Sequence, residues 1–348
     1  SIYMFTVEQM LIPIWDTELV YHESLTFVKE RGIAAAPLLY EPTEIISVKN
    51  ASQTIEYEKD KDWYADGNMI YLTPGSKIFC FEEDELYPVS PIPGHSYADG
   101  KGGYVLFYEE HFFHDRQICV TYRCKKGQWK GHTPKGTGHE LPKTFRKLKN
   151  KETISIVLYG DSISAGSNAS GFTISPPFQP SWGDLFTEAL RKHYEAAIKF
   201  YNPSVGGMNS TWGVENADTL VNTKNPDLVI IAFGMNDRID TEKFSDNIRK
   251  IIDIIRLKNP HAEFILAVTT LPNPRLTYNF HDHRHEYGEA LRDLCKEGMA
   301  VADFQNMQKE LLLRKRFIDM TGNNVNHPND FFIRCHAQYL SAMLIPNK

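Results

Sequence analysis

Cysteine is scarce in this chain, with five residues in 348 (Cys80, Cys119, Cys124, Cys295 and Cys335). The number is odd, and the paired short spacing of a zinc site or a disulfide framework is missing. Buried or half-buried thiols in a reducing compartment are therefore expected. Long apolar runs are also missing: no stretch approaches the roughly 20 residues that cross a bilayer. Positive charge is not in excess either, since 38 Lys and Arg against 44 Asp and Glu leave a net charge of −6. No global basic field exists to hold a phosphate backbone, which argues against nucleic acid as a partner. The opening SIYMFTVEQM lacks the charged and then apolar regions of a signal peptide. These signs point to the cytoplasm, or to a secreted protein if a leader was removed ahead of Ser1.

What is present is the make-up of a globular protein, 42% hydrophobic and 24% charged. At 348 residues the chain suggests two domains. Over about 40–125 the apolar pattern is short, alternating and aromatic-rich: EIISVK, QTIEYE, NMIYLTP, KIFCFEE, YVLFYEEHFF and QICVTYRC. Turn residues such as Asp66-Gly67-Asn68 and Pro74-Gly75 separate these runs, as they do short antiparallel strands. A β-sandwich of jelly-roll type is expected. Residues 125–151 carry many Lys and Arg among Gly and Pro, and read as a solvated linker.

From residue 153 the period changes. TISIVLYG, PDLVIIAFG and AEFILAVTT are continuous apolar runs of strand length, as in parallel strands covered on both faces. Between them, Phe244, Ile248, Ile251, Ile252 and Ile255 form an apolar stripe at helical period over 241–258. Another helix is expected from Ser181, with Asp184 completing a capping box. MAVADF and a last helix near 331–344 close a β-α series. The expected fold is α/β, a flavodoxin-like doubly wound parallel sheet over 151–348, preceded by the all-β part over 1–150.

In such a sheet the chemistry sits at the carboxyl ends of the strands. One strand runs into Gly160-Asp161-Ser162, where a hydroxyl can point into a cleft. Another is followed by Ser204-Val205-Gly206-Gly207, a glycine pair that lets backbone N–H groups approach a ligand. A third ends in Gly234-Met235-Asn236-Asp237, which brings an amide donor. His327, in Asn326-His327-Pro328 before the last helix, supplies a general base. Singly, each is an ordinary turn, bend, cap or loop.

Together and in this order, the four blocks resemble the SGNH hydrolases, the GDSL-type esterase superfamily, over about 153–344. The resemblance implies Ser162 as nucleophile and His327 as general base. Gly207, with Gly206 as the alternative, Asn236 and the Ser162 N–H would form an oxyanion hole. Asp161 and Asp237 would fix the turns. One departure from the family pattern stands out: Asn324 occupies the position, three before the histidine, where family members commonly carry Asp. Asn324, a backbone carbonyl, or a carboxylate such as Asp330 or Asp319 would then orient His327.

His281-Asp282-His283-Arg284-His285 resembles a metal box, but imidazoles at i, i+2 and i+4 cannot share a helical face, and a solvated loop without metal is expected. No cofactor is expected. Trp182 and Trp212 follow the first two blocks as core anchors or sugar-stacking rings. The implied activity is serine esterase chemistry on short acyl groups, most of all acetyl on a carbohydrate such as acetylated xylan. A lipase, thioesterase or general short-chain carboxylesterase is the alternative. A glycan-binding protein with a weakened hydrolase domain is the alternative of another class. The expected partner is a carbohydrate or small ester, with no nucleic acid and no membrane; self-association is left open.

Overall fold

The computed structural model describes residues 5–276 and 283–346. The chain opens with a short helix, α1 (Val7–Met10), and enters a β-rich half. There β1 (Leu19–Leu25), β4 (Pro42–Asn50) and β10 (Ile118–Cys124) form an antiparallel sheet in the order β1-β10-β4. A second sheet joins β2 (Val28–Glu30), β3 (Ile33–Pro37), β5 (Trp63–Asp66), β6 (Met69–Leu72) and β7 (Phe81–Glu82) in the order β5-β6-β3-β2-β7. After α2 (Glu83–Leu86), β8 (Ser96–Ala98) and β9 (Tyr104–Leu106) make an antiparallel pair.

Several strands are shorter than their patterns. The run at 53–58 contributes a single bridge, Lys49 to Glu56, in place of a strand. Asn50 explains this: its Oδ1 accepts the Thr54 and Ile55 N–H groups at 2.8 and 2.9 Å, a local bond set that competes with a ladder. The run at 104–113 pairs only as far as Leu106, and Glu110 adopts φ +60°. The chain there leaves the sheet and heads for the edge where the chemistry lies.

The lysine-rich stretch is more than a linker. It contains α3 (Pro142–Lys149), which buries Phe145 and Leu148 while Lys143, Arg146 and Lys149 stay outside. Its first turn donates the Lys143 and Thr144 N–H groups to Glu263 at 3.3 and 2.6 Å, a carboxylate placed where the helix dipole favours one.

The second half is a five-stranded sheet of β11 (Ile154–Gly160), β12 (Ile198–Tyr201), β13 (Leu228–Ala232), β14 (Glu263–Ala267) and β15 (Met299–Ala302), ordered β12-β11-β13-β14-β15. All its pairings are parallel, the doubly wound arrangement expected. Successive residues feed two cores. Ile154, Ile156 and Leu158 pack with α5 (Trp182–Tyr194), α9 (Phe304–Arg314) and α10 (Asp330–Leu344). Val157 and Tyr159 pack with α6 (Ser210–Leu220), α7 (Thr241–Lys258) and α8 (Tyr287–Leu294). This alternation is the period of a strand covered on both faces. At α5 the expected capping box is absent: Ser181 is the N-cap, but its side chain makes no cap bond. Its hydroxyl is buried without a hydrogen-bond partner among the described residues, in close packing against Gly166.

The first core continues into the front half through Val20, Leu25, Phe27, Leu38, Val48, Ile70 and Val120. A buried ion pair crosses as well: Lys315 Nζ meets Glu23 Oε2 at 2.7 Å with both side chains fully enclosed. Glu23 also accepts from Tyr122 Oη and the Leu39 N–H.

Candidate active site

Gly160 ends β11 in a place where a Cβ would lie 2.5 Å from the Ala232 carbonyl oxygen, so only glycine lets β11 and β13 end side by side. Asp161 follows as the N-cap of the single-turn helix α4 (Ser162–Ala165), its Oδ1 accepting the Ile163 N–H at 3.0 Å. Burial pushes the Asp161 carboxyl up to about 7, with the Ile163 N–H and His327 pulling the other way. The buried Trp182 donates Nε1–H to the Ile163 carbonyl at 3.0 Å, so this ring anchors the serine turn from beneath. Ser162 is half-buried on that turn, and its Oγ lies 2.8 Å from His327 Nε2.

The other ring nitrogen decides the tautomer. His327 Nδ1 lies 2.6 Å from Asn168 Oδ1, and Asn168 Nδ2 donates to the Glu110 carbonyl at 2.8 Å. A carbonyl only accepts, so the Asn168 nitrogen must face Glu110 and its oxygen must face the ring. Nδ1 then carries the hydrogen, and the Nε2 lone pair is left for the Ser162 hydroxyl. The carboxylate of Glu109 stands 3.6 Å from Nδ1, beyond hydrogen-bond reach but within ion-pair range. Partial burial pushes the Glu109 carboxyl up, and the contacts to His327 and Asn323 outweigh it, leaving the carboxyl below its usual range.

The residues expected to orient His327 are occupied elsewhere. Asn324, at φ +69°, donates Nδ2–H to the Leu106 carbonyl at 2.8 Å and accepts from Asn273 Nδ2 at 3.1 Å. Its left-handed backbone turns the amide away from the ring. Asp330 takes the Ser170 N–H and hydroxyl at 2.9 and 2.6 Å. Asp319 takes the Thr26 N–H and the Arg316 guanidinium. Asn168 and Glu109 hold the places these three were expected to compete for. Asn323 positions the loop: its Oδ1 accepts the N–H groups of Val325, Asn326 and His327 at 2.9, 3.0 and 3.0 Å.

On the opposite side of Ser162 lie the remaining candidates. A Cβ on Gly206 would meet Ser162 Cβ at 3.5 Å, so this residue runs beside the serine. Gly207 has φ +79° and open space around it, a conformation that favours glycine. Asn236 is half-buried and uses one amide hydrogen on the Met208 carbonyl at 3.0 Å, leaving the second free to point elsewhere. Asp237 takes the Ser210 N–H and hydroxyl, which ties the third strand end to the start of α6. Buried Arg284 donates Nε–H to the Met235 carbonyl just before Asn236. Of the histidine-rich segment, His281 and Asp282 lie outside the described residues. His283 and His285 both face Glu286, and among the described residues no group of His, Cys, Asp and Glu is arranged to hold a metal. Half-buried Trp212 packs on Tyr159 and Phe233.

Sequence reasoning missed Asn168, Glu109, Asn323 and Arg284. The first two are separated from His327 by long stretches of chain, and no periodicity marks them. Asn323 carried a signal, since an Asn ahead of a tight loop commonly binds its own backbone.

A hydroxyl, an imidazole and an amide oxygen in series at the carboxyl edge of a parallel sheet define a site of the serine-hydrolase class. The family model of GDSL-like lipases and acylhydrolases matches residues 158–331, half of the chain, and the chain belongs to that family. It is 28% identical over 131 residues to a GDSL esterase/lipase of Arabidopsis thaliana, covering 34% of this chain and 48% of that protein. It is 29% identical over 120 residues to an arylesterase of Vibrio mimicus, covering 34% of this chain and 55% of that protein. The chain thus spans about half the length of the curated relatives it matches. Among solved structures, it is similar to a two-domain esterase active on acetylated mannans, with a TM-score of 0.49, 21% identity, and coverage of 62% of this chain and 56% of that one.

Proposed function

We propose that this protein is a serine esterase that removes short acyl groups, above all acetyl, from a carbohydrate. The observation that carries the reading is the Ser162 Oγ to His327 Nε2 contact of 2.8 Å with Asn168 Oδ1 at 2.6 Å on the other ring nitrogen. Ser162 Oγ attacks the ester carbonyl as His327 Nε2 takes its proton. The N–H groups of Gly207 and Ser162 and the free amide hydrogen of Asn236 stabilise the oxyanion. His327 then protonates the leaving sugar alcohol, and water, deprotonated by the same imidazole, releases acetate and restores Ser162. Losing one oxyanion donor typically costs about 10²–10³ in rate.

The preference for a carbohydrate rests on the rim. Gly206 and Gly207 are exposed and Ser162 only half-buried, which suits a small acyl group on a long polar chain better than a deep acyl tunnel would. The β-rich part over 1–150 is taken as a jelly-roll-like domain that shapes substrate choice, and 151–348 as the hydrolase domain. One observation favours a second reading, a lipase, thioesterase or general carboxylesterase. The loop that follows Asn168 exposes Phe172, Ile174 and Phe178, an apolar surface for a longer acyl or an aryl group.

Acetate release from acetylated xylan, mannan and acetyl-sugars, beside a series of p-nitrophenyl esters, tests both. The first reading expects acetyl to be preferred over butyryl and longer esters, with Ser162→Ala abolishing turnover. The reverse chain-length order would favour the second. Equal, slow rates for wild type and Ser162→Ala would overturn the esterase reading and leave a glycan-binding protein.

A further inference from the structure

The segment that leaves β9 belongs to the front half, yet it touches the His327 loop and its neighbours at four points. The Leu106 carbonyl accepts from Asn324 Nδ2 at 2.8 Å. Glu109 Oε2 lies 3.6 Å from His327 Nδ1, and Glu109 Oε1 accepts from Asn323 Nδ2 at 2.9 Å. The Glu110 carbonyl accepts from Asn168 Nδ2 at 2.8 Å. Asn323 in turn holds the His327 N–H at 3.0 Å, so the carboxylate is tied to both the ring and the backbone of the histidine.

The amide of Asn168 can fix the tautomer of His327, but being neutral it does little for the positive charge that the ring acquires when it takes the serine proton. A carboxylate beside Nδ1 does that work in a Ser-His-Asp site, and the position three before His327 carries Asn324, which faces away. Among the described residues, three carboxylates lie around the ring or its loop. Glu109 approaches from the segment after β9, and Asp161 acts from the cap of α4. Asp330, at the start of α10, is held by Ser170. Among the described residues, Glu109 alone combines a carboxylate with a place beside Nδ1.

We propose that Glu109 is the charged positioning residue for His327, so that the front half completes the active site of the sheet domain. The inference rests on Ser162 and His327 being the reacting pair. Glu109 keeps the protonated ring favourable and correctly aimed while Asn168 holds the hydrogen on Nδ1. No proton is transferred to Glu109 itself.

The test measures kcat, KM and the pH profile of p-nitrophenyl acetate hydrolysis for the full chain and its variants. Glu109→Gln keeps an oxygen for Asn323 and removes only the charge. It is expected to lower kcat by about 10- to 100-fold, part of the roughly 10²–10⁴ that general base catalysis supplies, with KM within about twofold. The acid limb of kcat/KM should move to lower pH, because an opposite charge beside the ring has gone. Glu109→Asp should restore most of both. In Asn168→Ala, where the carboxylate is the remaining partner of Nδ1, adding Glu109→Gln should lower kcat further, towards loss of the roughly 10²–10⁴ that general base catalysis supplies. An unshifted acid limb with wild-type kcat would overturn the proposal, as would a raised KM at unchanged kcat, which marks a substrate contact. If Glu109→Gln folds poorly, Glu109→Ala and Glu109→Asp decide in its place: Asp is expected to keep most of kcat and the acid limb where Ala loses both, and equal profiles for the two would overturn the proposal. Should Ser162→Ala retain wild-type turnover, the Ser162–His327 reading itself fails, an outcome distinct from any result at Glu109.

Discussion

At the scale of single residues, Asn168 is the hinge of the site, and its surroundings tolerate no growth. A Cβ on Gly322 would fall 2.5 Å from Asn168 Cβ and 3.1 Å from the Pro328 carbonyl oxygen. Neither neighbour is the loose end of a long side chain, so Gly322→Ala must displace Asn168 or the His327 loop. The expected cost is about 1–3 kcal/mol of stability together with a clear loss of kcat, read by denaturant unfolding and steady-state kinetics. Asn324 behaves differently. Asn324→Ala strips the Leu106 carbonyl of its side-chain donor, at about 1–3 kcal/mol for a buried group left unpaired, while Asn273 Nδ2 keeps the Asn324 main-chain carbonyl at 2.9 Å. Its pH profile should keep the wild-type acid limb, since the amide never faced the ring.

At the scale of elements, parallel strands deposit their carboxyl ends along one edge, which is why short motifs far apart in sequence converge there. The helix over 241–258 was readable because a stripe of Ile and Phe at helical period dominates it, and Thr241–Lys258 is helical. The run at 104–113 was misread because aromatic alternation cannot report that the segment turns away at Glu110. The lysine-rich linker was misread because its charges mask the apolar positions Phe145 and Leu148. Beside the shared core, the enclosed pair of Glu23 and Lys315 ties the β-rich elements to the end of α9. Removing one partner strands the other, so Glu23→Ala should lose about 3–5 kcal/mol. Because this pair braces the half that carries Glu109, the variant should also lose activity below its unfolding transition, as thermal scans beside residual-activity curves would reveal.

At the scale of the whole molecule, half-buried His22 and buried His336 and Asp161 set opposing pH dependences. Burial lowers His22 to about 3 and His336 to about 4. The unfolded chain binds protons at these imidazoles below about 6.5 while the folded chain does not, so their stabilisation is complete above that value and is lost as pH falls towards 4. Asp161 runs the other way. Raised to about 7, it is protonated when folded and ionised when unfolded, and it lowers stability as pH climbs from about 4 to 7. Between pH 4 and 6.5 these three groups together give a stability that rises by about 1.4 kcal/mol per pH unit. Asp161→Asn, which keeps an oxygen for the Ile163 N–H, should roughly double that slope in urea titrations. A slope unchanged by the substitution would show that Asp161 is ionised in the native protein.

The sequence by itself determined the β-α alternation, the parallel sheet and the four chemical blocks, because hydrophobic period and strand-end turns are local and are written in neighbouring residues. Ser162 and His327 were identifiable from their blocks and the resemblance these carry. Only the tertiary structure decided what stands behind the histidine. Asn168 and Glu109 reach His327 Nδ1 across long separations in the chain, and that meeting depends on the φ of Glu110 and Asn324, the packing of Gly322 on Asn168 and the shared core of the two halves. A contact of this kind is selected by shape and charge in three dimensions, and no spacing along the chain encodes it.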